Sequence, residues 1–262
     1  LAGCVTGFVL LGDSWFQLLI AGALGIVLTQ TAFLTHEAAH KQVLASGPAN
    51  ERLGRWLACG VVGVSYSWWT SKHNRHHANP NQVGRDPPDI DVDTISFLEE
   101  DAAKATGLLA TITRRQGWLF FPLLTFEGLN LHRLGVQHLL GRGPVKARRT
   151  ELTLTLVRFA VVLGALFLVL PVGMAFAFLG VQLAVFGVYM GASFAPPNHK
   201  GMPVIARDVK LDFFSKQVRT SRNVRGRLVG HLAHGRAELP GRAPPVPEHA
   251  ALPPRPGPHA GA

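Results

Sequence analysis

His36-Glu37-Ala38-Ala39-His40 and His73-Asn74-Arg75-His76-His77 bring five imidazoles close together in the chain, each set at a spacing that lets its members face a common centre. On a helix, residues i and i+4 share a face, so His36 and His40 can reach one metal ion. His73 and His76 stand at i, i+3, and His77 adds a donor at the edge of the same face. Neutral imidazole binds Zn, Cu, Fe and Ni alike, so the residue type does not name the metal.

Composition sets the setting for these clusters. The 262 residues are 47% hydrophobic and 16% charged, with a mean hydropathy of +0.20, which is too apolar for an ordinary soluble domain. An all-α integral membrane protein is expected. The net charge of +10 does not point to nucleic acid, because the basic residues alternate with long apolar runs instead of gathering on one polar element. Cys4 and Cys59 supply neither a disulfide framework nor a cysteine-rich metal site, and are expected to be plain buried small residues.

The chain starts at Leu1 inside an apolar run that stops at Gly12-Asp13 and lacks the basic region of a signal peptide. It reads as the tail of a truncated membrane helix. From Ser14 to Thr35 no residue is charged, and a bilayer core needs ~20 such residues. These two runs form a hairpin turning at Asp13, and the second helix delivers His36 to the membrane surface. Trp56 to Ser71 is uncharged but short for a span, and reads as a dipping or surface-lying helix that keeps both clusters on one side. Trp118 to Leu140 mixes Phe, Leu and Trp with Glu127, His132, Arg133 and His138, as an interfacial helix does. His132 and His138 are therefore expected at headgroup level. Asp89-Ile90-Asp91-Val92-Asp93 has the spacing of a calcium loop, but Thr94 occupies the turn-glycine position and no closing Glu follows.

A second hairpin comprises Leu152 to Leu170 and Val172 to Phe194, apolar except for Arg158, which stands near enough to an end to snorkel. Its Pro171-Val172-Gly173 connection carries no charge, whereas Lys and Arg crowd 41–149 and 200–227. The positive-inside rule puts those regions, and the histidines, on the cytoplasmic side. Four helices in two hairpins, the first truncated, thus carry a cytoplasmic helical cap. His199 follows a membrane exit just as His36 does, which makes it a further candidate ligand.

Three chemistries compete for the clusters. His36-Glu37-x-x-His40 fits a zinc hydrolase signature with Glu37 as general base, but a single zinc has no use for His73, His76 and His77 together. An oxygen-activating di-iron site needs many imidazoles around two metals. In the third, the histidines merely line a polar membrane interface, which does not explain their ligand spacing. The di-iron centre fits best.

At this point the residues resemble the membrane fatty acid desaturases. His36-x-x-x-His40 and His73-x-x-His76-His77, with Ala78-Asn79-Pro80-Asn81 and Asp86-Pro87-Pro88-Asp89 after them, resemble that family's first two histidine boxes. Ala195 to Pro203 and Thr220 to Val224 look like its bacterial acyl-lipid branch. The resemblance spans most of 1–226 and implies a histidine-bound di-iron site with His36, His40, His73, His76 and His77 as ligands and His199 as a further one. It implies oxygen-dependent insertion of a double bond into a lipid- or CoA-linked fatty acyl chain. Electrons would come from a separate ferredoxin or cytochrome. Histidine-box hydroxylases and ketolases share the metal chemistry and stay open as alternatives.

The end of the chain departs from this pattern. A third box with two adjacent histidines is expected shortly after Thr220 to Arg225, yet the chain has His231-Leu232-Ala233-His234 and then a Pro-, Ala-, Gly- and Arg-rich tail without periodicity, read as disordered. His231 and His234 are not expected to be ligands. The codons permitted from Ala237 onward, shifted by one nucleotide, allow L-N-Y-Q-V-E-H-H-L-F-P-S, with the histidine pair beneath Ala243 to Pro245. A frame break near Gly226 is therefore expected, dividing the chain into an incomplete desaturase domain, 1–226, and an aberrant segment, 227–262. Lacking the third box, the chain is expected to be inactive.

Overall fold

A computed structural model of the chain describes residues 1–87, 95–96, 99–194 and 202–221, with side chains for all of these except 99–101 and 194. The candidate calcium loop, His199, His231, His234 and the segment 227–262 lie outside the described residues. Among those described the fold is all-α, and Gln82 and Ile205 form an isolated parallel bridge.

Helix α1 (Ala2–Leu11) turns into α2 (Gln17–Ala39) where the sequence places the first hairpin. The turn is built by a polar residue that hydropathy does not single out. Gln17 is fully buried and its Nε2 donates to the carbonyls of Phe8 (2.7 Å) and Gly12 (2.9 Å), satisfying acceptors that the end of α1 leaves unpaired. Along α2 the hydroxyls of Thr29, Thr31 and Thr35 donate to carbonyls one turn back, so an apolar setting costs them no hydrogen bond. Box one occupies the last turn of this helix, with His40 just past its end.

The run from Trp56 to Ser71 is not one dipping helix. After α3 (Gly47–Arg55) comes a π-helical turn, Trp56–Val62, which stops at Gly63 with φ +95°, and α4 (Tyr66–Ala78) starts afresh and carries box two. The break has a local cause. The left-handed backbone at Gly63 suits glycine, the amides of Gly63 and Val64 both donate to Ala58 O, and Arg158 Nε donates to Val61 O at 2.6 Å. Arg158 thus turns inward to the end of the π-helical turn.

Beyond α5 (Glu99–Lys104) and α6 (Gly107–Arg114), the expected interfacial helix divides into α7 (Gln116–Leu124), which contains Pro122, and α8 (Glu127–Leu140). Trp118, Phe121, Phe126 and Leu129 remain exposed, as on an interfacial element. His132 does not stand at headgroup level. It is buried, with Nδ1 2.6 Å from Gly128 O and Nε2 3.1 Å from Val62 O, so it ties α8 to the π-helical turn. His138 is half-buried.

The second hairpin is α9 (Arg148–Val169) and α10 (Val172–Phe194). Among the described residues three helices, α2, α9 and α10, are long and apolar enough to cross a membrane; α1 is apolar but short. Ala21, Leu166, Leu170, Met174, Ala175 and Phe178 join the three at one level, and Leu28, Val62, Val64 and Phe186 join spans to cap nearer the histidines. Between apolar helices in lipid, close fit matters more than hydrophobic driving force, and small residues supply it. A Cβ on Gly25 would lie 2.8 Å from Gln182 O, and one on Gly128 would run into Leu183 O, so α2 and α8 both pack backbone to backbone on α10. Helix α11 (Phe213–Thr220) lies against the far end of α4.

Of the cysteines, Cys59 is buried as expected, packed with Ala58 and Tyr66 and touching Ala39 and Leu154. Cys4 on α1 is only half-buried.

Candidate metal centre

Two helix ends build the site. Helix α2 presents His36 from its last turn and His40 from its C-cap, and α4 presents His73 and His77 from its second half, each pair at i, i+4. The small cluster of Ala58, Cys59, Tyr66 and Ala39 holds these ends together. The four histidines offer ligand nitrogens that all lie within 4.8 Å of one another. His73 is the hub: its Nε2 is 2.9 Å from His40 Nε2 and 3.0 Å from His77 Nε2, and the His36 ring centroid is 4.7 Å from its own.

These separations suit a metal ion. With metal–nitrogen bonds of about 2.0–2.1 Å, two ligands at right angles around one ion sit ~3.0 Å apart, and two at a tetrahedral angle ~3.4 Å. A proton serves the arrangement poorly. A neutral imidazole nitrogen carries either one hydrogen or one lone pair, so His73 Nε2 cannot bond well to both neighbours at once. Protonating the rings is opposed as well. Burial first, and then the neighbouring histidines His36, His77, His40 and His76, hold His73 far below the usual imidazole range. Burial and His36 lower His40, against a small opposing effect of Glu37. The centre is therefore a set of four imidazoles at ligand spacing, with His40 and His73 held as neutral lone-pair donors, and such a set fits zinc, copper, iron or nickel.

His76 is not one of the four. Its Nδ1 is 2.8 Å from Asp86 Oδ1, while Asp86 Oδ2 accepts from Asn81 N at 2.7 Å. A carboxylate on one ring nitrogen fixes the tautomer that leaves a lone pair on the other, the usual support of a metal-binding histidine. Glu37 approaches His36 Nδ1 more loosely, at 3.4 Å.

Two supporting residues escape a search for histidine spacing. Trp69 stacks on His73 with centroids 4.5 Å apart and planes 18° apart, and meets His36 edge-on at 5.6 Å. It stands four residues before His73, so helical periodicity alone puts it on the ligand face. Asp86 belongs to the polar stretch after box two, where its separation from His76 carries no helical signal. The segment 202–220 closes the far end of α4, with Gln217 Nε2 donating to His77 O at 2.8 Å and Val83 and Ile205 joined through their backbones.

Comparison with known proteins bears on the chemistry. The family model for fatty acid desaturases matches residues 13–237. The chain is 25% identical over 171 residues to a Delta(8)-fatty-acid desaturase of Helianthus annuus, covering 60% of the chain and 37% of the relative. It is 28% identical over 156 residues to a Delta 8-(E)-sphingolipid desaturase of Kluyveromyces lactis, covering 54% and 26%. With an acyl-lipid (9-3)-desaturase of Physcomitrium patens it shares 32% over 108 residues, covering 40% and 19%. It thus spans well under half the length of these relatives. The match and the three apolar helices make this a membrane protein. The histidine pairs on α2 and α4 lie inside the matched region, and the chain belongs to the fatty acid desaturase family.

Proposed function

We propose that this chain is the histidine-box part of an oxygen-dependent acyl desaturase that introduces a double bond into a fatty acyl chain carried on a lipid or on CoA. The observation that carries the reading is the convergence of His36, His40, His73 and His77 where an apolar helix long enough to cross a bilayer ends. Those four would hold one iron. His76, backed by Asp86, and His199 would serve a second. When bound, the irons supply the oxidant that an unactivated C–H bond requires and that no side chain can provide. The residues do the rest: His40 and His73 stay neutral and ready to bind metal, Trp69 keeps the His73 ring from turning, and α2, α9 and α10 wall an apolar path for the acyl chain. The site faces the cytoplasm, and electrons come from a separate ferredoxin- or cytochrome-type carrier. The desaturases among the relatives support this reading over peptide hydrolysis at His36-Glu37-x-x-His40 and over hydroxylation or ketone formation.

The chain contains no adjacent histidine pair after Thr220. We therefore read 227–262 as translated out of frame and the chain as inactive until the third box is restored. The test is expression of this chain and of its frame-restored version in a host with the matching reductase, followed by mass spectrometry of fatty acids and sphingoid bases. New double bonds with the restored version alone support the account. Hydroxylated products, or no product from either version, overturn the desaturase reading; activity of the unrestored chain overturns the frame break.

A further inference from the structure

Glu151 lies in the first turn of α9, at the foot of an apolar helix, and is fully buried. It is not idle there. Its Oε2 accepts from the hydroxyls of Ser65 (2.7 Å) and Ser67 (2.9 Å), both oxygens lie 3.2 Å from Ser67 N, and Arg55 Nε donates to Oε1 at 3.3 Å. Arg55 is also buried and reaches back to Glu51 Oε1 at 3.1 Å, and Lys146 pairs with the same oxygen at 2.8 Å. Ser65 is the N-cap of α4, its side chain accepting from Trp68 N. Glu151 therefore grips the start of the helix that presents Trp69, His73 and His77, using residues 84 to 96 positions away in sequence.

The other end of α4 is gripped in the opposite sense. Lys216 of α11 is buried, and its Nζ donates to Ala78 O (3.2 Å), Asn79 Oδ1 (3.2 Å) and Gln82 Oε1 (2.9 Å), all at or just past the last turn. A carboxylate at the amino end of a helix and an ammonium at its carboxyl end both match the helix dipole. Buried charges are costly, and each of these two has nearly every hydrogen-bonding position filled, at the two places that fix where α4 starts and stops.

We propose that Glu151 and Lys216 are positioning residues for the metal centre. Together they fix the axial and rotational setting of α4, so that His73 and His77 meet His36 and His40. This rests on reading the histidine cluster as a metal site. It assigns to Glu151 and Lys216 a task at a centre whose ligand nitrogens neither side chain touches.

The test is Co(II) titration of the detergent-purified chain, following ligand-field absorption, for the unaltered protein and for Glu151→Ala, Glu151→Gln and Lys216→Met. Glu151→Ala and Lys216→Met are expected to weaken Co(II) binding ~10–100-fold, the range typical of lost supporting contacts, and to shift the absorption bands. Glu151→Gln keeps one acceptor oxygen and is expected to recover part of both. If a variant does not fold, the remaining ones decide. Unaltered affinity and spectrum in folded variants, even with lower melting points, would leave only a structural role and overturn the proposal. If the unaltered chain takes up no Co(II), the metal reading itself falls, and this inference with it.

Discussion

Alanine at Gly187 and alanine at Gly180 should have opposite effects, though both are the same change on α10 two turns apart. A Cβ at Gly187 would strike Leu124 O and stand 2.5 Å from Gly128 N, both backbone atoms of the α7–α8 segment. Carbon contacts settle near 3.5–4.0 Å, so that segment would have to move away from α10 by roughly 1 Å. Overpacking of this kind costs ~1–3 kcal/mol, and the upper part applies because no flexible side chain can yield. At Gly180 nothing lies within 4 Å, so alanine there brings only its helix preference, ~0.8–1.0 kcal/mol in favour. The two variants should thus differ by ~3–4 kcal/mol. The readout is heat-dependent alkylation of Cys59 in a Cys4→Ser background. Burial pushes that thiol up to about 12, and the Glu151 charge adds to it, so it reacts only on unfolding. Equal midpoints for the two variants would refute the backbone-to-backbone crossing.

Three further outcomes follow from the site and its supports. His73→Ala removes the hub: a four-ligand zinc site binds with ~10–16 kcal/mol, so one ligand is worth ~2.5–4 kcal/mol and the variant should bind Zn(II) or Co(II) ~10²–10³-fold more weakly, by competition with a chelating dye. Burial lowers His40, His73 and His132 in the folded chain, so the unfolded chain takes up their protons first as pH falls. Metal-free stability should be complete above about pH 6.5 and decline below it. His132→Asn should flatten that decline by up to one proton, seen in melting points taken between pH 5 and 8, and leave metal affinity unchanged.

Much of this fold can be read from hydropathy, because a helix that crosses lipid must be apolar along its whole length. The convergence of His36 with His40 and of His73 with His77 is legible from spacing, because each pair stands on or at the end of one helix, where i, i+4 has a fixed geometric meaning. The break at Gly63 is not legible, since an apolar run looks the same whether it continues or restarts, and part of what ends it, the Arg158 bond to Val61 O, comes from nearly a hundred residues later. His132 misleads for a related reason. A histidine among apolar residues suggests an interface, but two carbonyls from different elements make a buried place for it. Glu151 lies just outside the apolar run that starts at Leu152. In one dimension it marks the end of a span, and only folding shows that it holds the start of α4.

The most direct test of the central claim is the iron content of the purified, frame-restored chain beside its His73→Ala variant, measured by elemental mass spectrometry after anaerobic loading. About two irons per restored chain are expected, with a marked loss in the variant. A single zinc in both, or no bound metal in either, would contradict that claim.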